Sequence, residues 1–311
     1  MKHERAWAWA AFATVCVVWG TTYLFIRIAL ETIPPLLLTG VRFTAAGLIM
    51  LVVARLRGET IPTDRRTLLN LALVGFCMVA VGNLAVVWAE QWVPSGMAAL
   101  FVATAPFWMA MIEAFRTGGE RVDRRGAIGM LIGFVGVAML VTPGGSGGKL
   151  NLMFVLGALA IQIGGLGWQY GSAHAKYKMK HVPLMSSSAL QMLSGGVMVG
   201  IVGLAAGEGP RFALNARTFG ALAYLTVFGS VVAFSAYVFA LAHMRTTVTS
   251  LYAYVNPVVA VFLGWLILSE PLTWVSIVAM VVILGGVALV QSTGWTKRPV
   301  AVVPEEVKKA A

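Results

Sequence analysis

The apolar residues of the chain fall in ten long blocks, separated by short breaks that contain charged residues, glycine or proline. A helix rises 1.5 Å per residue, so a block of about 20 residues spans the hydrocarbon core of a bilayer, which is about 30 Å thick. A segment surrounded by lipid must pair its own backbone groups, and this requirement favours helices over open strands. The pattern predicts an all-α integral membrane protein whose ten transmembrane helices lie near residues 7–28, 35–55, 67–89, 93–115, 126–142, 152–173, 184–206, 218–242, 247–268 and 272–291.

Composition agrees with a chain that lies in lipid. Hydrophobic residues make up 59% of the 311 positions and charged residues only 11%, whereas a soluble protein carries about 25% charged residues. The net charge is +11, but the basic residues lie between the apolar blocks, where they orient membrane helices. We therefore expect a lipid bilayer around the chain and no nucleic-acid partner.

The distribution of lysine and arginine predicts the orientation of the helices. If the N-terminus is cytoplasmic, 18 of these 23 residues lie in cytoplasmic segments and three lie in outer loops. The other two, Arg27 and Arg42, fall in or at the edge of predicted helices. Because cytoplasmic loops of membrane proteins are enriched in lysine and arginine, both termini should be cytoplasmic and the number of spans even.

The two halves of the chain repeat each other with a shift of 149–151 residues. The matching pairs include Trp19 and Trp168, Pro34 and Pro183, Gly47 and Gly196, and Glu120 and Glu270. Five spans is an odd number, so the second half must enter the membrane from the opposite side. The sequence predicts two inverted five-span repeats, 1–145 and 146–295, followed by a cytoplasmic tail, 296–311. Such repeats hold a substrate site between them that opens alternately to each side.

The residues Gly144 to Gly148 match the G-x-S-x-G motif of a catalytic serine, but they lie in a glycine-rich loop between two predicted spans and not between a strand and a helix. The pair Gly148-Lys149 suggests a phosphate-binding loop, but Pro143 stands where that motif needs its first glycine, and Leu150 where it needs serine or threonine. No cluster of His, Asp or Glu falls at one depth of the predicted spans. We therefore expect no enzyme, metal or cofactor. The alternatives to a carrier are an intramembrane enzyme acting on lipid and a non-transporting receptor.

Polar and aromatic side chains in the middle of the spans are the candidate substrate-binding residues. Asn and Gln in lipid must find partners, so each of them either joins helices or lines a pocket. Together they describe a neutral, amphipathic cavity, which suits a zwitterion with an apolar side chain better than an ion or a sugar phosphate. The candidates are Trp19, Thr22, Tyr23, Asn83, Trp168, Gln169, Tyr237, Tyr252 and Asn256.

Three charged residues are candidates for charge or gate roles. Arg42 lies about seven residues, or roughly 10 Å, into the second predicted span. It either reaches outward or pairs with Glu31 or Glu90, or it binds a substrate carboxylate. Glu120 and Glu270 lie at span ends and match each other between the halves, so we interpret them as helix caps or gate elements.

Short motifs in both halves point to a known family. They are Trp19-Gly20-Thr21-Thr22, Arg42-Phe43, Ala105-Pro106, Gly119-Glu120, Asn256-Pro257 and Ser269-Glu270-Pro271. In this order the motifs resemble the ten-span EamA branch of the drug/metabolite transporter superfamily over nearly the whole chain. The second half departs from the pattern at Gln191, which stands where the first half has Arg42. The resemblance implies ATP-independent export of amino acids or related metabolites across a bacterial inner membrane, with aromatic-amino-acid exporters as the nearest relatives.

Overall fold

The computed structural model describes residues 2–116, 123–148, 150–244, 249 and 252–292. Within these ranges the chain is helical and contains no strand. A short 3-10 turn, Gly209–Arg211, precedes the eighth helix. The helices are α1 (Lys2–Ala29), α2 (Pro35–Leu56), α3 (Arg65–Ala89), α4 (Ser95–Phe115), α5 (Arg124–Leu140), α6 (Leu152–Lys178), α7 (Leu184–Ala205), α8 (Ala216–His243), α9 (Tyr252–Leu268) and α10 (Trp274–Ser292).

Most of these helices have the length and composition of membrane spans. Among the described residues, seven helices, namely α1, α2, α3, α4, α6, α7 and α8, are long and apolar enough to cross a bilayer. Shorter apolar helices occupy Val255–Leu268 and Trp274–Val290. The prediction of an all-helical integral membrane protein is therefore confirmed. The exact number of ten membrane crossings stays a prediction.

Four helices begin at an aspartate or asparagine whose side chain accepts a hydrogen bond from a first-turn amide. These residues are Asp64 of α3, Asp123 of α5, Asn151 of α6 and Asn215 of α8, with oxygen-to-nitrogen distances of 2.7–2.9 Å. First-turn amides have no partner inside the helix, so each cap fixes the residue at which its helix starts. The hydrogen bonds from Thr67 hold the pKa of the Asp64 carboxyl below its usual value.

Two other helices are capped by glutamates from distant parts of the chain. Glu208, which follows α7, accepts a hydrogen bond from the Leu37 amide of α2 at 2.8 Å. Glu59, which follows α2, accepts one from the Ser186 amide of α7 at 2.8 Å. The helices α2 and α7 therefore exchange caps, because the glutamate that follows each one binds the first turn of the other.

Glu270 also has the geometry of a helix cap. Its two carboxylate oxygens accept hydrogen bonds from the backbone amides of Ser95 (2.7 Å) and Gly96 (3.1 Å) at the start of α4. The preceding residue, Ser269, has a φ of 53°, a left-handed conformation that is uncommon outside glycine. This turn carries Glu270 from the end of α9 to α4. Its predicted counterpart, Glu120, lies outside the described residues.

Glycines allow two pairs of helices to approach closely. A Cβ atom on Gly40 of α2 would lie 2.5 Å from the Cα atom of Gly200 on α7. Likewise, a Cβ atom on Gly129 of α5 would lie 2.7 Å from the carbonyl oxygen of Gly286 on α10. Small residues permit such contacts between helices in lipid. The helices α1, α3, α4, α6 and α9 contact one another, and together with α2 they surround a cavity.

Candidate functional site

The central cavity has a volume of about 80 Å³. Side chains of α1, α2, α3, α4, α6 and α9 line it, so residues from both halves of the chain contribute. Arg42 is among the lining residues. The structure also brings together eight of the nine predicted binding residues on its wall, namely Trp19, Thr22, Tyr23, Asn83, Trp168, Gln169, Tyr252 and Asn256.

Aromatic rings form the apolar part of the cavity wall. Trp19 meets Trp168 edge to face, with ring centroids 5.4 Å apart, and it meets Tyr252 in the same way at 5.1 Å. The indole nitrogen of Trp19 donates a hydrogen bond to the carbonyl oxygen of Gly229 on α8 at 3.0 Å. Edge-to-face contacts hold these rings in place, and they offer broad apolar faces to a bound molecule. The indole nitrogen of Trp168, unlike that of Trp19, has no hydrogen-bond partner among the described residues.

Tyr237 is the predicted binding residue that the structure places behind the wall. Its ring lies 5.0 Å from Trp19 and 5.9 Å from Trp168, and its hydroxyl donates to Ser172 at 3.0 Å. It faces a second cavity, which Met78 and Ser172 also line. The expectation of a direct lining role is corrected here.

The amide side chains of the cavity wall differ in how many of their polar atoms form hydrogen bonds. Asn83 is partly buried, and its Oδ1 atom makes no hydrogen bond among the described residues. Gln169 is 1% exposed, and its amide nitrogen lies near Tyr252 without the geometry of a hydrogen bond. Asn256, by contrast, donates to the carbonyl oxygens of Cys16 (3.0 Å) and Tyr252 (3.1 Å) when its amide is oriented to satisfy both. Asn256 therefore joins α1 to α9, while Asn83 presents an unpaired acceptor.

Arg42 is buried in the protein and does not reach outward along the membrane. Only 2% of its surface is exposed, and its Nε atom donates to the Ser230 hydroxyl at 2.8 Å. Its guanidinium carbon lies 4.7 Å from the centre of the Phe43 ring. The predicted partner Glu31 instead forms an ion pair with Arg217 at 3.2 Å. The terminal nitrogens of Arg42 make no hydrogen bond within the part of the chain that the structure describes.

Glu90, the other predicted partner of Arg42, is also fully buried. Neither of its carboxylate oxygens has a hydrogen-bond partner among residues whose positions are described. Its backbone carbonyl accepts a hydrogen bond from Arg27. Arg27, Arg42 and Glu270 act on the carboxylate electrostatically, but Arg42 and Glu90 form no ion pair within 4 Å. The predicted Arg42–Glu90 contact is therefore not made.

Two π-helical segments border the cavity. They are Phe76–Asn83 in α3 and Leu225–Val232 in α8. The first ends at Asn83, and the second contains Gly229 and Ser230, which hold Trp19 and Arg42 respectively. Such segments are rare and occur frequently at functional sites. The sequence gives no direct signal for them, because their hydrophobic pattern differs little from that of an α-helix.

Glycines form part of the cavity wall as well. Gly82 of α3 and Gly164 and Gly165 of α6 line the cavity. A Cβ atom on Gly82 would lie 3.1 Å from the Trp168 side chain, and one on Gly165 would lie 3.0 Å from Trp108. The signal that finds the α6 glycines is their spacing, because 161, 164, 165 and 168 share one helical face.

Comparisons with known proteins agree with this architecture. The chain matches the EamA-like transporter family over residues 6–142 and again over 155–292. It is 38% identical over 281 residues to YedA, an uncharacterized inner membrane transporter of Escherichia coli K12, with 90% of this chain and 89% of YedA covered. It is 21% identical to YoaV, an uncharacterized transporter of Bacillus subtilis, covering 84% of this chain and 88% of YoaV. A solved crystal structure has the same fold, with a TM-score of 0.68 and 20% identity, covering 91% of this chain and 96% of the other.

Proposed function

Because the chain belongs to the EamA-like transporter family, we propose that it exports amino acids or related small amphipathic metabolites by alternating access. It is a membrane transporter rather than an enzyme, as its family and its relative YedA are. The proposed location is the bacterial inner membrane, with both termini in the cytoplasm. The sequence lacks a nucleotide-binding motif, so the proposed mechanism is that of a secondary carrier.

The central cavity is the observation that carries this proposal. Both halves contribute to it, with Trp19 and Asn83 from the first and Trp168 and Tyr252 from the second. A site between two halves is the position from which a rocking motion exposes a ligand to either side in turn. Its wall combines aromatic faces with polar atoms that have no partner among the described residues. Since buried polar atoms are costly when unpaired, such a wall suits a ligand with both apolar and polar parts.

Pairs of equivalent contacts support the proposed arrangement of ten spans in two inverted repeats. Glu59 caps α7 at Ser186, and Glu208 caps α2 at Leu37. Both the glutamates and the amides they bind are 149 positions apart. The π-helical segments of α3 and α8 are also 149 positions apart, and the family match occurs twice along the chain. Repeats of five spans, 1–145 and 146–295, account for all three observations.

A rocking motion breaks and re-forms contacts between the two proposed halves. Glu270, in the second half, binds the first turn of α4 in the first half through two backbone amides. This contact lies on the side proposed to face outward. Opening the cavity to that side separates the halves there, so we assign Glu270 the role of a cap that is released when the cavity opens outward.

Counterflow in proteoliposomes tests the proposed function. Purified protein is reconstituted with unlabelled amino acids inside the vesicles, and uptake of each labelled amino acid from outside is measured. We expect transient accumulation of at least one amino acid, and no acceleration by trapped ATP. Protein-free vesicles and the Trp168→Ala variant serve as controls. Failure to accumulate any amino acid or related metabolite, or ATP hydrolysis stimulated by substrate, would contradict the proposal.

A further inference from the structure

We propose that Arg42 binds the carboxylate of the transported molecule, so that the central cavity selects substrates by that group. This inference rests on the proposed function and adds to it the chemical feature that the cavity recognises. It is based on the position of the guanidinium, on the lack of a contacting counter-charge among the described residues, and on the absence of an equivalent residue in the second half.

The guanidinium is held in a fixed orientation with its outer edge free. Ser230 accepts a hydrogen bond from Nε at 2.8 Å, and the missing side chain at Gly229 leaves room for Nη2, which lies 3.1 Å from where a Cβ atom would be. The two terminal nitrogens make no hydrogen bond among the described residues. A planar fork of N–H groups matches the two oxygens of a carboxylate. The terminal N–H groups of Arg42 therefore retain hydrogen-bonding capacity that a substrate carboxylate can use.

A buried cation needs a counter-charge, and the described part of the cavity wall contains no acidic side chain. The nearby carboxylates are engaged elsewhere or too distant. Glu31 pairs with Arg217, Glu270 binds backbone amides of α4, and Glu90 acts on Arg42 only from beyond 4 Å. A carboxylate that enters the cavity with the substrate supplies the missing contact.

Arg42 differs from the residues that maintain the fold, because it has no counterpart in the second half. The exchanged caps and the π-helical segments occur in both halves, as expected for structural features of a repeat. Arg42 does not recur, because Gln191 stands at the equivalent position. The Gln191 amide donates to Ser187 at 2.7 Å and faces a different cavity. A charge present on one side only can orient a bound molecule, with its carboxylate directed towards α2.

The rest of the wall indicates how the other parts of such a substrate are bound. The unpaired Oδ1 atom of Asn83 can accept a hydrogen bond from an amino group. The rings of Trp19, Trp168 and Tyr252 offer apolar faces for a side chain. The amino group meets a neutral acceptor, whereas the carboxylate meets a full charge. The carboxylate should therefore contribute more to affinity than the amine.

Binding of matched probes to the purified full-length protein tests whether the carboxylate contributes more to affinity than the amine. The first set is L-phenylalanine, 3-phenylpropanoate, phenethylamine and L-phenylalaninamide. The second is L-leucine, 4-methylpentanoate, 3-methylbutylamine and L-leucinamide. In each set two probes have a carboxylate and two do not. Affinity is measured from the shift in melting temperature with concentration and from inhibition of counterflow. We expect the carboxylates to bind at least tenfold more tightly than the amine and the amide.

Substitutions in α2 test whether Arg42 causes the preference for carboxylates. Arg42→Gln should weaken carboxylate binding roughly ten- to a hundredfold, equivalent to about 1.4–2.8 kcal/mol, and abolish the preference over the amine. Arg55→Gln, at the exposed end of the same helix, should change neither. If Arg42→Gln does not fold, Ser230→Ala keeps the charge but removes the group that orients it, and should reduce the carboxylate preference severalfold.

The outcomes distinguish this inference from the proposed function. Amines or amides that bind as tightly as carboxylates, or an Arg42→Gln protein that keeps the carboxylate preference, would overturn the role of Arg42. Counterflow by the wild-type protein would still support a carrier in those cases. Transport confined to molecules without a carboxylate overturns the inference in the same way. A wild-type protein that transports nothing overturns both.

Discussion

Trp19 and Trp168 meet edge to face inside the protein, with ring centroids 5.4 Å apart and ring planes inclined by 84°. They come from α1 and α6 and are 149 positions apart in the sequence. Residues that correspond between the two halves of the chain therefore contact each other at the central cavity. Each ring also contacts Tyr237, at 5.0 Å and 5.9 Å respectively, so the pair has a rigid support behind it.

Removing one of these rings should impair transport more than folding. Trp168→Ala deletes an apolar face of the cavity, and we expect transport to fall at least severalfold, because losing about 1 kcal/mol of binding is roughly a fivefold change in affinity. Counterflow measures the effect. Trp274→Ala is the matched control, because that side chain is 80% exposed at the start of α10. Equal losses in the two variants would contradict the assignment of Trp168 to the binding site.

Substitution of the two asparagines of the cavity should have different effects on transport and on melting temperature. Asn83→Ala removes an acceptor that has no partner among the described residues, so we expect weaker transport with little change in melting temperature. Asn256→Ala removes two hydrogen bonds to backbone carbonyls of α1 and α9, which stabilise the fold by about 1 kcal/mol each. It should therefore lower the melting temperature measurably. A reversed order of the two melting temperatures would refute this division.

Substitution of Gly229 should disturb Arg42 and Thr22 together. A Cβ atom at this position would lie 3.1 Å from Nη2 of Arg42 and 3.0 Å from the Thr22 side chain. Gly229→Ala should therefore move the guanidinium and lower transport severalfold. Gly220→Ala lies on the same helix with nothing within 4 Å of the added atom, and alanine should stabilise the helix there by up to about 1 kcal/mol. Full transport activity in Gly229→Ala would show that this space is not needed.

The facing glycines of α2 and α7 should not tolerate alanine equally. A Cβ atom on Gly40 would lie 2.5 Å from the Cα atom of Gly200, whereas one on Gly200 would lie 3.7 Å from Gly40. Gly40→Ala forces the backbones apart and should destabilise the protein by about 1–3 kcal/mol. Gly200→Ala should have little effect. Melting temperatures in detergent test the difference, and equal values would contradict the close approach.

Membrane orientation can be tested at two exposed loop positions. The excess of basic residues predicts that Lys178 is cytoplasmic and Leu214 external, and both side chains are exposed in the structure. In spheroplasts, a membrane-impermeant maleimide should label Leu214→Cys at once, and Lys178→Cys only after permeabilisation. The native Cys16 and Cys77 are buried, with 5% and 8% exposure, and give a low background. The opposite labelling pattern would invert the proposed topology.

The fold was predictable because the bilayer fixes the length of every span. Blocks of about 20 apolar residues can satisfy their backbone in lipid only as helices, and the positions of α1 to α10 follow those blocks. Helix caps from distant residues were less accessible to sequence reasoning. Glu59 and Glu208 bind amides more than 120 positions away, and no local pattern encodes such a contact.

Helical spacing predicted most of the candidate site. Spacing of three and four residues placed Trp19, Thr22 and Tyr23 on one face of α1, and these residues line the cavity together. The same reasoning put Tyr237 on the cavity wall, whereas the structure places its ring behind Trp19 and Trp168. It also left the role of Arg42 open, since the hydroxyl that orients the guanidinium belongs to a residue 188 positions further along the chain.

The exchanged caps of α2 and α7 have a consequence for biosynthesis. When the ribosome has completed the first five helices, the Leu37 amide lacks the carboxylate that it binds in the finished protein, because Glu208 has not yet been made. The start of α2 must then rely on water or lipid headgroups until α7 has been inserted. Neither half holds all of its own caps, so fragments cut between residues 145 and 146 should mature only when they are produced together.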